Sequence, residues 1–95
     1  MKVLGLNHFE DFRHRHAEGA KRAAALLAEM KEARWRTPQD IKDKYRHASF
    51  LRNNVVVFNM HGGRYRVAAR VAYQAQIVVI MGIGTHEEYD SWDLT

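Results

Sequence analysis

A chain of 95 residues suits one small domain, here taken as 1–95, and is too short for a large multi-substrate active site. Fifteen lysines and arginines against eleven acids give a net charge of +4, which suits an anionic partner, and 46% hydrophobic residues exclude a disordered chain. The absence of cysteine excludes disulfides, thiol catalysis and cysteine-held metals, and is compatible with a cytoplasmic protein.

Met1 to Leu6 is mostly apolar and is expected to be an edge strand, and it lacks the long apolar stretch of a secretory signal. Asn7 followed by Glu10 resembles a capping box ahead of a helix through Phe9, Phe12 and Arg13. Ala20, Ala23, Ala24, Leu27 and Met30 recur at helical spacing, which predicts a second helix over 18–34. Thr37-Pro38-Gln39-Asp40 starts a short third helix, with a threonine cap and proline in the first turn. It carries Ile41, Lys42, Lys44 and Tyr45.

The rest is β-prone. Val55 to Met60 is β-branched and aromatic, His61-Gly62-Gly63 signals a turn, Arg64 to Tyr73 alternates, and Ile77 to Ile83 forms a third run. That last run is far shorter than the roughly 20 residues of a membrane-spanning helix, so no membrane partner is expected. The class is α+β, with N-terminal helices packed on a small antiparallel sheet.

A two-residue Gly62-Gly63 turn of type I′ would pair Met60 with Tyr65, Asn59 with Arg66 and Phe58 with Val67. One face then gathers Val57, Asn59, His61, Arg64, Arg66 and Arg70, and the other gathers Val56, Phe58, Met60, Tyr65, Val67, Ala69 and Val71. A register one residue different spoils both faces. A three-residue Gln74-Ala75-Gln76 loop would pair Val71 with Val79, Ala69 with Met81, Val67 with Ile83, Arg66 with Gly84 and Arg64 with His86. Gly82 and Gly84 opposite the arginine face would leave room for a ligand. Thr85-His86-Glu87-Glu88 is a second capping box. It puts His86 in a first helical turn, on one side with Tyr89 and Asp90.

Charge is unevenly distributed. No acid occurs from Lys44 to His86, a stretch holding Lys44, Arg46, Arg52, Arg64, Arg66 and Arg70. Such a field marks an anion-binding face. Three other chemistries find no support. His14 and His16 point apart on a helix with no third metal ligand, Gly62-Gly63 lacks the lysine and serine of a phosphate-binding loop, and no serine–histidine–aspartate set can be assembled. No cofactor is implied.

Val57-Phe58-Asn59-Met60, Gly63-Arg64-Tyr65-Arg66-Val67 and Gly84-Thr85-His86-Glu87-Glu88-Tyr89-Asp90 together resemble the HigB toxins of bacterial type II toxin–antitoxin systems. Asp40-Ile41-Lys42 is also similar to that family. The resemblance covers roughly residues 35–92, and the chain departs from it at His61-Gly62, where Gly-Asn is common. It implies a RelE-like fold with a short C-terminal helix. It implies an endoribonuclease that cuts messenger RNA on translating ribosomes, and a cognate helix-turn-helix antitoxin of the HigA type. Asn59, Arg64, Arg66, His86 and Tyr89 match its motifs.

Metal-free RNA cleavage needs a base for the 2′-hydroxyl, cations for the phosphate and an acid for the leaving 5′-oxygen. Arg64 and Arg66 are assigned to the phosphate, His86 to acid or base, Tyr89 to positioning or proton transfer, and Asn59 to orienting Arg66 or the ribose. Lys42, Lys44, Arg46 and Arg70 are candidates for the RNA backbone, although Lys42 and Lys44, two apart on a helix, cannot face the same way. Two alternatives remain: a gyrase poison of the same fold, like the ParE toxins, and a plain RNA-binding module.

Overall fold

The computed structural model describes residues 1–94, with His61 described by its backbone alone. The elements run β1 (Lys2–Leu4), α1 (Asn7–Arg15), α2 (Ala17–Glu32), α3 (Pro38–Lys44), β2 (Ser49–Phe50), β3 (Val55–Met60), β4 (Tyr65–Ala72), β5 (Ile77–Thr85) and α4 (His86–Tyr89). The sheet order is β1-β5-β4-β3-β2. The α+β class with helices first therefore stands, with one correction. The sheet is mixed, because β1 lies parallel to β5. A parallel neighbour requires a long crossover, and here the helices and the meander supply it. The two-residue β2 was not legible in the sequence.

The Asn7–Glu10 capping box does not form. Leu6 occupies the cap position with no side-chain bond, and Glu10 turns to Arg13, 2.8 Å away. The expected second helix ends early, at Glu32, because Ala33 is extended. Of its predicted face, Ala23, Leu27 and Met30 are buried together with Leu26, whereas Ala24 is exposed. Thr37 caps α3 in a full capping box with Asp40.

The hairpin register is as expected. Met60 pairs with Tyr65, Asn59 with Arg66 and Phe58 with Val67. Gly62 and Gly63 adopt φ of +63° and +93°, the left-handed conformations a type I′ turn requires. The next loop differs from expectation. Ala72 pairs with Ile77, so Tyr73–Gln76 is a four-residue loop, and Val71 meets Val78 and Ala69 meets Ile80. The Gln76 amide pins this wider loop by donating to the carbonyls of Tyr73 and Trp35, both at 2.7 Å. A bulge between Ala68 and Ala69 then skips Met81 on β5 and restores the expected pairs of Val67 with Ile83 and Arg66 with Gly84. The backbone amide of His86 donates to the Arg64 carbonyl at 3.3 Å, extending that register past the strand.

The two sheet faces divide as alternation predicts. Val56, Phe58, Met60, Tyr65, Val67, Ala69 and Val71 join Phe12, Leu27, Met30 and Ile41 of the helices in the core. Trp35, Tyr45 and Phe58 form an aromatic cluster in it, with centroids 5.2–6.0 Å apart. The opposite face carries Asn59, Arg66 and Arg70, and α4 closes over one end of it.

Candidate active site

Four residues of the expected site fall into two pairs near the junction of β4, β5 and α4, Arg66 with Tyr89 and Arg64 with His86. The Arg66 guanidinium lies over the Tyr89 ring, 4.8 Å from its centroid, an attractive arrangement because the ring face is negative. The Arg66 Nε is buried and has no hydrogen-bond partner among the described residues. Such orphans are uncommon and call for a reason. His86 begins the short helix that carries Tyr89. His86 Nδ1 stands 3.7 Å from Asp90 Oδ2 and both side chains are exposed. Arg64 and His86 line one cleft of about 530 Å³, with Gly62, Gly63, Thr85 and Glu87. The Arg64 guanidinium also lies 5.6 Å from the centroid of Tyr65.

The space expected opposite the arginine face is filled. A Cβ on Gly82 would come within 3.1 Å of the Trp92 ring, and one on Gly84 would meet Trp92 at 3.1 Å and Glu88 at 2.5 Å. The glycines admit the protein's own C-terminal segment, not a ligand. Trp92 in turn packs edge-on against Tyr89 at 5.5 Å, so it backs the ring that supports Arg66. Sequence reasoning missed Trp92. The signal was two glycines facing an arginine strand a few residues before a tryptophan.

Glu88 fixes α4 to the helical layer. Its carboxylate accepts from the Thr85 amide at 2.7 Å, contacts His16 Nε2 at 3.1 Å and pairs with Arg15. Partial burial raises its pKa, but the Thr85 amide, Arg15 and His16 outweigh that and hold the carboxyl below the ordinary range. Arg15 also donates to the Ile83 carbonyl at 3.3 Å. His16 is engaged by Glu88 and Glu18 and, contrary to the expectation of one helix carrying His14 and His16, stands in non-helical backbone between α1 and α2. Among the described residues no group of three His, Asp or Glu side chains is placed to hold a metal ion.

The remaining candidates are dispersed. Asn59 does not hold Arg66 through its amide nitrogen, which donates to the His47 carbonyl at 2.9 Å. Lys42 donates to the Ala48 carbonyl at 3.0 Å, and Arg70 Nε to the Asn53 carbonyl at 3.1 Å. These bonds brace loops at both ends of β3. Arg70 sits four residues along β4 from Arg66, roughly 13 Å away at strand rise. Lys44 and Arg46 line a second cleft of about 560 Å³ with Arg22, His47, Gly62 and Gly63.

Residues 20–92 match the model of the HigB toxin family, described as the RelE-like toxic component of a toxin–antitoxin system. The chain belongs to the HigB toxin family. The match begins within α2 and contains every candidate residue above. No curated protein matches the chain. A HigB toxin is one half of a toxin–antitoxin pair, so an antitoxin is its partner. Among the described residues of this HigB chain, no helix is long and apolar enough to cross a membrane.

Proposed function

We propose that this HigB-family toxin is a metal-independent endoribonuclease that cuts messenger RNA on translating ribosomes, in the cytoplasm, and is neutralised by a HigA-type helix-turn-helix antitoxin. The observation that carries the reading is Arg66. A buried guanidinium nitrogen without a partner among the described residues, beside a phenol, is suited to a phosphate. Arg66 and Arg64 bind the scissile phosphate. A base removes the 2′-hydroxyl proton, the 2′-oxygen attacks phosphorus, and the bond to the 5′-oxygen breaks as an acid protonates it. His86, exposed at the start of α4, serves one of those proton transfers. Tyr89 holds Arg66 in place. Asn59 acts indirectly, through the loop it braces at His47. Lys42 and Arg70 act through the loops they hold, while Lys44 and Arg46 face the RNA backbone.

The test is expression of wild type, Arg66→Ala and His86→Ala, with growth and RNA 5′ ends both recorded. Wild type is expected to arrest growth and leave new ends inside coding regions, and each variant to lose both effects at unchanged expression. Full activity in both variants removes the site assignment. DNA damage without new RNA ends would instead favour a gyrase poison, and intact RNA bound with steep salt dependence a binding module. Growth should return when the helix-turn-helix product of the adjacent gene is co-expressed.

A further inference from the structure

The second cleft lies across the hairpin tip from the first. Both clefts are lined by Gly62 and Gly63, and a Cβ at either glycine would meet nothing within 4 Å. The ridge between them is therefore bare backbone, over which a polymer can pass. Three elements of distant sequence line the second cleft: Arg22 from α2, Lys44 from the end of α3, and Arg46 and His47 from the loop that follows. Lys44 shares Glu29, 3.7 Å away, with the hydroxyl of Tyr45. Arg22 and Arg46 are exposed and have no hydrogen-bond or ion-pair partner among the described residues. Arg22 and Arg46 line one cleft with no carboxylate in its lining, and a bound anion relieves the repulsion between them. The loop is also braced in advance. Asn59 holds the His47 carbonyl, Lys42 holds the Ala48 carbonyl, and the Ala48 amide donates to Tyr45 at 3.0 Å. Bracing lowers the ordering cost of binding.

We propose that this cleft is a second phosphate subsite, in which Arg22 and Arg46 bind a phosphate flanking the scissile one as the RNA strand crosses the Gly62-Gly63 tip. The proposal rests on the RNA-cutting reading, which gives the scissile phosphate to Arg66 and to Arg64, the latter a residue of the first cleft. A single strand is the anionic ligand whose charges repeat along its length, so it can occupy two clefts joined by a bare ridge.

The probe is a 2′-O-methyl RNA of about ten nucleotides, which spans both clefts and cannot be cut. Its affinity is measured against salt for wild type and for Arg22→Gln/Arg46→Gln, with thermal melts to check that the variant is folded. The variant is expected to bind more weakly, with a log–log salt slope shallower by about 0.7 for one lost phosphate contact. A methylphosphonate at the flanking linkage should reproduce that loss in wild type and add nothing in the variant. The methylphosphonate comparison uses wild-type protein, so it stands even if the variant folds poorly. An unchanged slope in a folded variant, or a wild type indifferent to every single methylphosphonate beside the cut site, overturns the subsite. Loss of antitoxin co-purification with RNA binding intact gives the cleft to the antitoxin and overturns it equally. Wild type that binds the probe but leaves messenger RNA whole on translating ribosomes defeats the nuclease reading alone. Wild type that binds no RNA, free or on the ribosome, defeats both.

Discussion

At the residue scale, the decisive feature is the support of one guanidinium by one ring. Arg66 emerges from a strand whose neighbours on the same face are Asn59 and Gly84. Its orientation comes from Tyr89 rather than from a carboxylate, which leaves its full charge for a phosphate. If the ring acts by its face, Tyr89→Phe should keep RNA cleavage within about threefold of wild type, whereas Tyr89→Ala should lose about tenfold or more. Arg66→Ala should lower kcat by about 10²–10³-fold, the cost of removing one preorganised donor from a developing anion. Single-turnover cleavage of a messenger RNA on programmed ribosomes measures all three. Asn59 has a different expected signature. Its amide holds the His47 carbonyl at 2.9 Å, so Asn59→Ala should cost about 1 kcal/mol of stability in urea melts.

At the element scale, α4 is only four residues long and cannot stand alone. It is held by the Thr85–Glu88 capping box, by Arg15 and His16 against Glu88, and by Trp92 laid on Gly82 and Gly84. Gly84→Ala should drive Glu88 and Trp92 outward, costing about 1–3 kcal/mol and lowering cleavage with it. Thermal melts alongside activity would check the pair of effects. Acid should act on the same tie. The Glu88 pKa lies below its unfolded value, so its contribution is present above the ordinary glutamate range, about 4.3, and is lost as pH falls through the folded value. Melts from neutral pH into that range should fall more steeply for wild type than for Glu88→Gln.

At the scale of the whole molecule, which extends 33 × 23 × 22 Å, a single core carries the stability. Phe12 has no exposed surface and meets Tyr65 edge-on at 5.3 Å. Phe12→Ala should cost about 3–5 kcal/mol, a large part of the roughly 5–15 kcal/mol that holds a small domain together. Chemical denaturation would show it as a lower midpoint at similar slope. The acid-free stretch from Lys44 to His86 becomes, in the fold, the two clefts on either side of the hairpin tip together with the face carrying Arg66 and Arg70. Binding to any nucleic acid should therefore weaken steeply with salt.

Local chemistry was written in the sequence. Two of its three proposed capping boxes or caps, the Gly62-Gly63 turn and the division of β3 and β4 into a core face and an arginine face each depend on residues a few positions apart, and steric and hydrogen-bonding rules act at that range. Asn7 failed as a cap because Leu6 took the position, a choice set by how β1 leads into α1. The parallel placement of β1, the four-residue loop and the compensating bulge at Met81 depend on distant partners such as Trp35, which binds Gln76. The site divides in the same way. Its residue types were legible in the sequence, whereas the pairing of Arg66 with Gly84, expected from a three-residue loop, holds only because the bulge at Met81 offsets the four-residue one. Only the packed chain decided that Trp92 fills the glycine notch, that Asn59, Lys42 and Arg70 spend hydrogen bonds on loops, and that Arg22 joins Arg46 across more than twenty residues of sequence. No pattern of spacing encodes such contacts, because they arise from how whole elements stack against one another.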